Sequence, residues 1–449
     1  MVLESITYRF LLRRSWPLIL ANAAVPLLGL VDTAVIGNFG SVSDLGAIAF
    51  GSLIFSFVYW SFGFLRMGTT GFVAQATGAG DHTEVRAALG RALLMAVSLG
   101  LLLVVCQGLI AWSAFFILDG SADVESVARE YFSIRIWGAP ATLSTFVFVG
   151  LLVGLGKSRQ LLLMQLFLNG SNIILDIYFA GFLAMGARGI ALGTVIAECA
   201  TVIFAAWLIS GQLLRQYSAQ KRVGTEQRFW PWESIFERSG LLATLTANAN
   251  IMLRTLMLVF SFAVFTNQSA RYGDVLLAAN HLLLQLISFS AFFLDGYAFV
   301  AESLVCAAKG AKRRDYFDVA VHKSTVLAFV SAVLLAVMIL WFGDIAIYSL
   351  TDIAAVRVAA TELSGLAALY VLCSFAAFQL DGIFIGASQT RAMRDAALLS
   401  LAVFLLMVWF LTPLWAIQGL WLAMILYVVA RAGALLIYFS RLRQSIEVE

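Results

Sequence analysis

The sequence predicts an all-α polytopic membrane protein, and three observations carry that prediction. The 449 residues are 61% hydrophobic and only 12% charged, with a mean hydropathy of +0.92. A soluble chain carries about a quarter charged residues, so no soluble core would hide this much apolar surface. Apolar segments long enough to cross a bilayer, roughly 20 residues each, recur along the whole chain, and its two halves repeat each other.

Twelve apolar segments qualify as membrane-spanning helices by length and composition. The second and eighth are longer than a span requires, so we expect them to bend or to project from the membrane. The predicted spans cover residues 15–37, 45–78, 91–116, 130–155, 161–183, 188–211, 239–266, 275–307, 321–342, 363–387, 395–413 and 418–439.

The most polar linker of the chain runs from Arg215 to Gly240 and separates the sixth span from the seventh. It divides the chain into an N-terminal six-helix bundle over 1–214, a cytoplasmic linker over 215–238 and a C-terminal six-helix bundle over 239–449. Within the linker, "FWPWESIF" is amphipathic, which predicts a segment lying along the membrane surface.

The basic residues fix the orientation of the chain. With both termini in the cytoplasm, 21 of the 29 Lys and Arg residues fall on the cytoplasmic side, four in the outer loops and four within spans. Cytoplasmic loops of membrane proteins are enriched in Lys and Arg. The bias therefore predicts cytoplasmic termini, and it explains the basic loops without any nucleic-acid partner.

The two halves resemble each other in a single register, which makes them an internal repeat. "GLLVGLGKSR", which begins at Gly150, matches "GIFIGASQTR", which begins at Gly382, and in the same register "VAQATGAG" at 73–80 matches "VCAAKGAK" at 305–312. Because six helices are an even number, both halves enter the membrane in the same orientation. A pseudo-two-fold axis normal to the membrane, a cleft between the bundles and alternating access by rocking follow from that arrangement.

Motifs of several enzyme classes are absent from the sequence. A phosphate loop would need glycine at position 151 ahead of Gly156 and Lys157, but the residue there is leucine. The four cysteines and three histidines lack the spacing of metal ligands, and no cleavable signal peptide is evident. We therefore predict a protein that is not an enzyme, holds no cofactor or metal and draws on an ion gradient for any active transport.

Charged residues within the spans are the candidates for function, because a charge in hydrocarbon is costly. Asp32 follows Arg14 along one outward-going helix, and Asp176 follows Arg159 along another at a nearly equal separation. Because every helical residue rises by about 1.5 Å, the two carboxyls reach nearly the same depth. Other polar side chains expected at this level are Asn172, Thr194, Tyr131 and Arg135.

The second half does not repeat this polar set, since Asp32, Asn172 and Asp176 correspond to Val264, Phe404 and Val408. A polar set that only one half retains favours a functional role of these side chains over a purely structural one.

The structural alternative for Asp32 is an ion pair with Arg66. In the second half, Arg254 and Asp295 reach similar depths and predict a structural pair. Asp381 is open to either role, a place in the cleft or a structural pair, while Glu198 and Glu302 are weaker candidates.

Several motifs together resemble the multidrug and toxic compound extrusion (MATE) transporters, and most of all their DinF-like branch. They fall in the expected order over nearly the whole chain: "PLLGLVDTAVIG" (26–37), "FLRMGTTGFVAQATGAGD" (64–81), "NIILDIYF" (172–179), "GARGIALGTVIAE" (186–198), "FLDGYAFVAE" (293–302) and "LDGIFIGA" (380–387).

The resemblance implies a twelve-helix, two-bundle antiporter of the bacterial inner membrane that exports organic, often cationic compounds in exchange for protons or sodium. In that family the first-span acid, here Asp32, is the principal coupling residue, and polar residues of the fourth to sixth spans surround it. The matching positions are Tyr131, Asn172, Asp176 and Thr194. Some sodium-coupled relatives carry an acid in the seventh span where this chain has Val264 and Arg254, which favours protons.

Two other functions stay open from the residues alone. A flippase for lipid-linked precursors on a related fold would line its cleft with cations, whereas this chain has only four in-span arginines and more acids. A channel would show no dependence of flux on an imposed pH gradient. We further expect a monomer, because the predicted cleft lies within one chain, with the bilayer and a small organic substrate as its partners.

Overall fold

The computed structural model describes residues 6–39, 41–117, 122–222 and 228–446, and that part of the chain is helical and without strands. The helices are α1 (Tyr8–Phe39), α2 (Val42–Trp60), α3 (Phe64–Ala79), α4 (His82–Val105), α5 (Gln107–Ile117), α6 (Ala122–Arg135), α7 (Ala139–Gly154), α8 (Ser158–Asp176), α9 (Gly186–Arg222), α10 (Trp232–Ile235), α11 (Arg238–Ala270), α12 (Asp274–Gly310), α13 (Arg314–Leu350), α14 (Ala354–Gly386) and α15 (Thr390–Gln444).

Among the described residues, ten helical segments are long and apolar enough to cross a membrane. The last of them, α15, contains non-helical backbone at Trp415 and Ala416, which divides it into legs over 390–414 and 417–444. Each leg exceeds the roughly 20 residues that a span requires. With α1, whose 32 residues also suffice, the helices account for the twelve spans that the sequence predicts.

The over-long predicted spans behave as their length requires. The second span is interrupted, because residues 61–63 form turns between α2 and α3. The eighth corresponds to α12, an unbroken helix of 37 residues. At a rise of about 1.5 Å per residue it exceeds the roughly 30 Å hydrocarbon core, so it projects beyond that core.

The break in α15 follows from its local sequence and backbone. Pro413 lacks a backbone N–H, and Ala416 has a positive φ of 47°.

The chain forms two compact units. The first unit comprises Leu20–Thr77 and Asp81–Leu245, and in it α4 packs against α7, α8 against α9, and α2 against α6. The second unit comprises Met1–Ile19, Gly78–Gly80 and Thr246–Glu449, and in it α14 packs against α12, α13 and α15.

Glycines of the repeated motif bring helices into backbone contact. A Cβ atom added at Gly150 would lie 2.4 Å from the Arg66 carbonyl oxygen, and one added at Gly382 would lie 2.4 Å from the Ala298 carbonyl oxygen. These glycines occupy equivalent positions of the internal repeat. Small residues at helix interfaces permit such close approach in membranes. The Gly150 and Gly382 motifs therefore serve helix packing in both halves.

Replacing Gly382 by leucine is expected to destabilise the second unit, because even a Cβ atom at this position overlaps the backbone of α12. Overpacking costs about 1–3 kcal/mol, and more where backbone cannot yield. Thermal unfolding in detergent measures the effect. Gly433→Leu is the matched control, because a Cβ added there meets no atom within 4 Å. Equal melting temperatures of the two variants would contradict the packing role.

The linker that precedes α11 is anchored on the first unit through α10. Ile235 is 1% exposed, and a Cβ atom added at Gly90 of α4 would lie 2.7 Å from its Cδ1 atom. Arg91 forms an ion pair with Glu84 and donates a hydrogen bond of 2.9 Å to the Ser234 carbonyl oxygen. Trp232 and Phe236 are exposed and stacked on each other, with ring centroids 6.1 Å apart. The segment thus has one buried face and one exposed aromatic face, as its amphipathic sequence predicts.

Candidate functional site

The site forms around two carboxyl groups buried in the first unit. Asp32 lies on α1 and is 6% exposed, and Asp176, the last residue of α8, is fully buried. The two carboxyls are direct neighbours, so each acts on the charge of the other. The sequence placed them at one depth by counting helical residues, and the structure brings them together.

The backbone around Asp176 is adapted to hold this carboxyl. The α-helix gives way to π-helical turns over Ile177–Phe182 immediately after Asp176, and such turns are frequent at functional sites. On the facing helix α9, a Cβ atom added at Gly193 would lie 2.5 Å from Asp176 Oδ1. Glycine at 193 therefore leaves the space that the Asp176 carboxyl occupies.

Asn172 and Thr194 lie next to the carboxyl pair and link α8 to α9. Asn172 Nδ2 donates a hydrogen bond of 3.1 Å to Thr194 Oγ1, and the Thr194 hydroxyl donates one of 2.8 Å to the Ile190 carbonyl oxygen. Both side chains are buried, and the Asn172 amide also lies beside Asp176. The Asn172–Thr194 bond therefore joins the two helices next to Asp176, while the bond to Ile190 orients the Thr194 hydroxyl within α9.

Tyr131 of α6 closes the site from another side. Its side chain is 1% exposed, interacts electrostatically with Asp32 and Asp176, and contacts the Phe55 ring edge-on at a centroid distance of 6.3 Å. A Cβ atom added at Gly51 of α2 would lie 2.3 Å from two carbons of the Tyr131 ring. All five residues that the sequence proposes for coupling, Asp32, Asp176, Asn172, Thr194 and Tyr131, thus form one cluster.

Gly51→Ala is expected to displace the Tyr131 ring from the carboxyl pair, since the added methyl group and the ring cannot share this space. We expect a loss of about 1–3 kcal/mol in stability together with slower transport. Gly170→Ala on α8 is the control, because its added Cβ meets no atom within 4 Å. Thermal unfolding and flux in liposomes measure the two effects, and wild-type behaviour of Gly51→Ala would show that Tyr131 needs no fixed position.

Arg135 and Glu198 extend the cluster, and sequence reasoning missed their pairing. Arg135 Nη2 lies 3.5 Å from Glu198 Oε1, and Thr142 Oγ1 donates a hydrogen bond of 2.7 Å to Glu198 Oε2. The spacing contained a usable signal, because Arg135 follows Tyr131 by four residues and Glu198 follows Thr194 by four. Arg135 lies on the same helix face as Tyr131, and Glu198 lies on the same helix face as Thr194. Arg135 and Glu198 are therefore at the same depth, one turn beyond the site.

Several polar atoms of the cluster have no hydrogen-bond partner within the described part of the chain. These atoms are Asp32 Oδ1, both carboxyl oxygens of Asp176, Asn172 Oδ1 and Arg135 Nη1. Buried acceptors without a donor are costly, and a protonated carboxyl supplies one O–H donor. A proton shared by Asp32 and Asp176 would therefore satisfy atoms that the side chains leave unsatisfied.

A separate charged cluster lies in the second unit. Asp381 of α14 forms ion pairs with both Arg254 of α11 and Arg431 of α15, and all three side chains are 8% exposed. The charge of Asp295 acts on both arginines as well. Arg254 and Asp295, predicted from the sequence as a pair, are therefore part of a four-residue cluster. Asp381, left open to a structural pair, takes that role here, and its partner Arg431 was not foreseen.

Arg66, the predicted alternative partner of Asp32, lies near the start of α3, where its backbone approaches Gly150. The charged neighbours that act on Asp32 include Asp176 and Arg135. The Asp32 carboxyl therefore belongs to the cluster formed by α6, α8 and α9.

The apolar helices of the described residues define a polytopic membrane protein, and buried acids such as those of the first unit mark substrate or ion pathways in proteins of this class. The sequence model of the MatE family matches the chain twice, over residues 17–178 and 251–411. The chain belongs to the MatE family, as its motifs predict, and it is a transporter of the multidrug efflux family rather than an enzyme. The two matches are separated by nearly the same interval as the two copies of the internal repeat.

Relatives of known name agree with this family. The chain is 34% identical over 394 residues to the DNA damage-inducible protein F of Escherichia coli (strain K12), covering 87% of this chain and 83% of that protein. It is 24% identical over 340 residues to the probable multidrug resistance protein NorM of Thermotoga maritima, covering 74% and 70% of the two chains.

Solved structures confirm the predicted fold. The Vibrio cholerae MATE transporter VcmN in its bent form superposes with a TM-score of 0.87 at 17% identity, over 98% of each chain. A MOP superfamily transporter from Pyrococcus furiosus superposes with a TM-score of 0.85 at 15% identity, over 98% of this chain and 97% of the other. At these identities the likeness concerns the fold.

Proposed function

We propose that this protein is a proton-coupled antiporter that exports organic, cationic or amphipathic compounds by alternating access. The observation that carries the proposal is the adjacent pair of buried carboxyls, Asp32 and Asp176, because Asp32 Oδ1 and both Asp176 oxygens lack a donor among the described residues. Two neighbouring carboxylates cannot both stay ionised away from water at low cost. One proton relieves this repulsion, and its release restores a negative charge that attracts a cation.

The coupling cycle follows from access to water. In the outward-open state, Asp32 takes a proton from outside, rearranges its contacts with Asp176, Asn172 and Tyr131, and the substrate leaves. In the inward-open state, Asp32 loses the proton to the cytoplasm, and the site binds a new substrate. Each state binds the proton and the substrate with different affinity, which is the requirement for exchange.

The arginines of the second unit support coupling to protons rather than to sodium ions. Arg254 and Arg431 already neutralise Asp381, so a sodium ion at this carboxylate would face two guanidinium groups.

The pairing of arginines with carboxylates also disfavours the flippase alternative. Arg135, Arg254 and Arg431 are all held by carboxylates, whereas a pyrophosphate would need cations that are available to it.

The setting we propose is the bacterial inner membrane, with both termini in the cytoplasm and the protein acting as a monomer. The distribution of basic residues supports this orientation, because 21 of 29 fall on the side of the termini. The bilayer and a small organic compound are then the partners of the protein.

The test uses purified protein in liposomes loaded with a pH-sensitive dye, to which candidate cationic compounds are added under an imposed proton gradient. Substrate-triggered proton movement that is unaffected by sodium supports the proposal. A response to a sodium gradient alone would overturn the choice of ion. Flux that ignores both gradients would indicate a channel instead of an antiporter.

A further inference from the structure

The single guanidinium of Arg135 lies among three buried carboxyls of the first unit, those of Asp32, Asp176 and Glu198. It pairs with Glu198 at 3.5 Å, and its charge also acts on Asp32 and Asp176. Three carboxylates facing one cation in a low-dielectric interior are not neutralised, so the cluster must bind protons or a further cation. The pair formed by Asp32 and Asp176 can bind one proton or cation. Glu198 is the remaining acid of the cluster.

Arg135 and Asp32 each present an unsatisfied atom that the other could satisfy. Within the described residues, Arg135 Nη1 is buried without an acceptor, and Asp32 Oδ1 is buried without a donor. Building on the proton-coupled function proposed above, we infer that Glu198 is a second proton site, which Arg135 serves by exchanging its ion pair between Glu198 and Asp32. The structure shows the arrangement in which Arg135 lies at Glu198.

The location of Glu198 makes it the inner of the two proton sites. Gly193 of α9 faces Asp176, and Glu198 follows five residues later, towards the Arg222 end of the helix. The helical rise places it about 7.5 Å further along the axis. With cytoplasmic termini, this direction leads to the cytoplasm, so Glu198 lies between the carboxyl pair and the inner side.

The surroundings of Glu198 suit a group that is alternately charged and neutral. The Thr142 hydroxyl donates to Oε2, and a Cβ atom added at Gly138 would lie 2.6 Å from that oxygen, so glycine makes room for the carboxyl. Groups that face Glu198 or act on it come from five helices: Asp32 of α1, Tyr59 of α2, Tyr131 and Arg135 of α6, Thr142 of α7 and Cys199 of α9. Arg135 is the cation of this set.

The transfer conserves charge. The O–H bond of Asp32 breaks and an O–H bond forms on Glu198, while the guanidinium of Arg135 leaves Glu198 and pairs with the Asp32 carboxylate. Release of the proton from Glu198 to the cytoplasm then draws Arg135 back to Glu198. The net charge of the cluster changes only when a proton enters from outside or leaves to the cytoplasm.

The test compares Glu198→Gln with the double variant Arg135→Gln/Glu198→Gln. Infrared difference spectra across a pH titration of the purified protein report protonated carboxyls without any need for transport. We expect Glu198→Gln to lose one carboxyl band that Asp32→Asn retains, and its proton-coupled flux to fall by about 100-fold or more, with substrate binding retained. The double variant, which removes Glu198 together with the guanidinium that pairs with it, is expected to lack the same band and to remain inactive.

A purely structural role for Glu198 makes the opposite prediction, because removing both charges would then restore flux. Restored flux in the double variant, or an unchanged set of carboxyl bands in Glu198→Gln, overturns the inference. Should Glu198→Gln fail to fold, the double variant carries both measurements. Wild-type protein without any proton movement would instead contradict the proposed function, and the infrared bands would still decide whether Glu198 binds a proton.

Discussion

Asp32→Asn is expected to abolish substrate-triggered proton release, leaving only the signal of protein-free liposomes. Asparagine keeps the size of the side chain and its ability to form hydrogen bonds, but it cannot gain or lose a proton in this range. The substitution also removes one of two adjacent buried carboxyls, so the folded protein loses a repulsion and should be as stable as wild type. Loss of exchange with an unchanged melting temperature would therefore identify a coupling residue.

The control for this experiment is Asp352→Asn, because the Asp352 side chain is fully exposed and pairs only at the surface, with Arg357. Its proton release should match that of wild type. Full exchange in Asp32→Asn would exclude Asp32 as the coupling acid and direct the search to Asp176. A fall in both exchange and melting temperature would make Asp32 a structural residue.

Asp381→Asn is expected to destabilise the second unit strongly, because two buried guanidiniums would lose their common anion. Removing one partner of a buried ion pair costs about 3–5 kcal/mol, since the remaining charge stays in a low-dielectric environment. Equilibrium unfolding in detergent, followed by tryptophan fluorescence, measures this loss. The effect should appear whether or not substrate and proton gradients are present.

The matched control replaces the three ion-paired residues of this cluster, as Arg254→Met/Asp381→Leu/Arg431→Met. Apolar residues of similar volume in place of a buried ionic triad are often neutral or stabilising, so this variant should recover most of the stability. Transport measured with the triple variant then distinguishes a structural role of Asp381 from a role in transport. Retained exchange would assign Asp381 to the scaffold, and lost exchange in a stable protein would assign it to transport.

Helical geometry explains how much of the site could be predicted from sequence. Each helical residue adds the same rise of about 1.5 Å, and successive spans alternate in direction, so counting from the basic loops gives the depth of every polar side chain. Depth alone placed Asp32 and Asp176 at one level, where the structure makes them neighbours. The internal repeat and the membrane-spanning segments could likewise be predicted from the order and spacing of residues along the chain.

Lateral neighbours could not be predicted in this way, because hydropathy does not specify which helices pack side by side. Glu198 lacked an evident partner in the sequence, yet α6 and α9 are adjacent and bring Arg135 to it. Similarly, Arg254 shares Asp381 with Arg431, which is distant from both in the chain. Each of these pairs depends on the packing order of the helices within a unit.

The break at Trp415 and Ala416 has a mechanical consequence. The two legs of α15 are joined by these two residues, which span at most about 7 Å when fully extended. In addition, a Cβ atom added at Gly419 would lie 2.2 Å from the Leu411 carbonyl oxygen, so the legs touch backbone to backbone beside the break. Their joined ends cannot separate, whatever the rest of the transporter does. Spin or fluorescent labels on either side of this joint would therefore serve as an internal distance standard, against which larger movements elsewhere in the same molecule can be read.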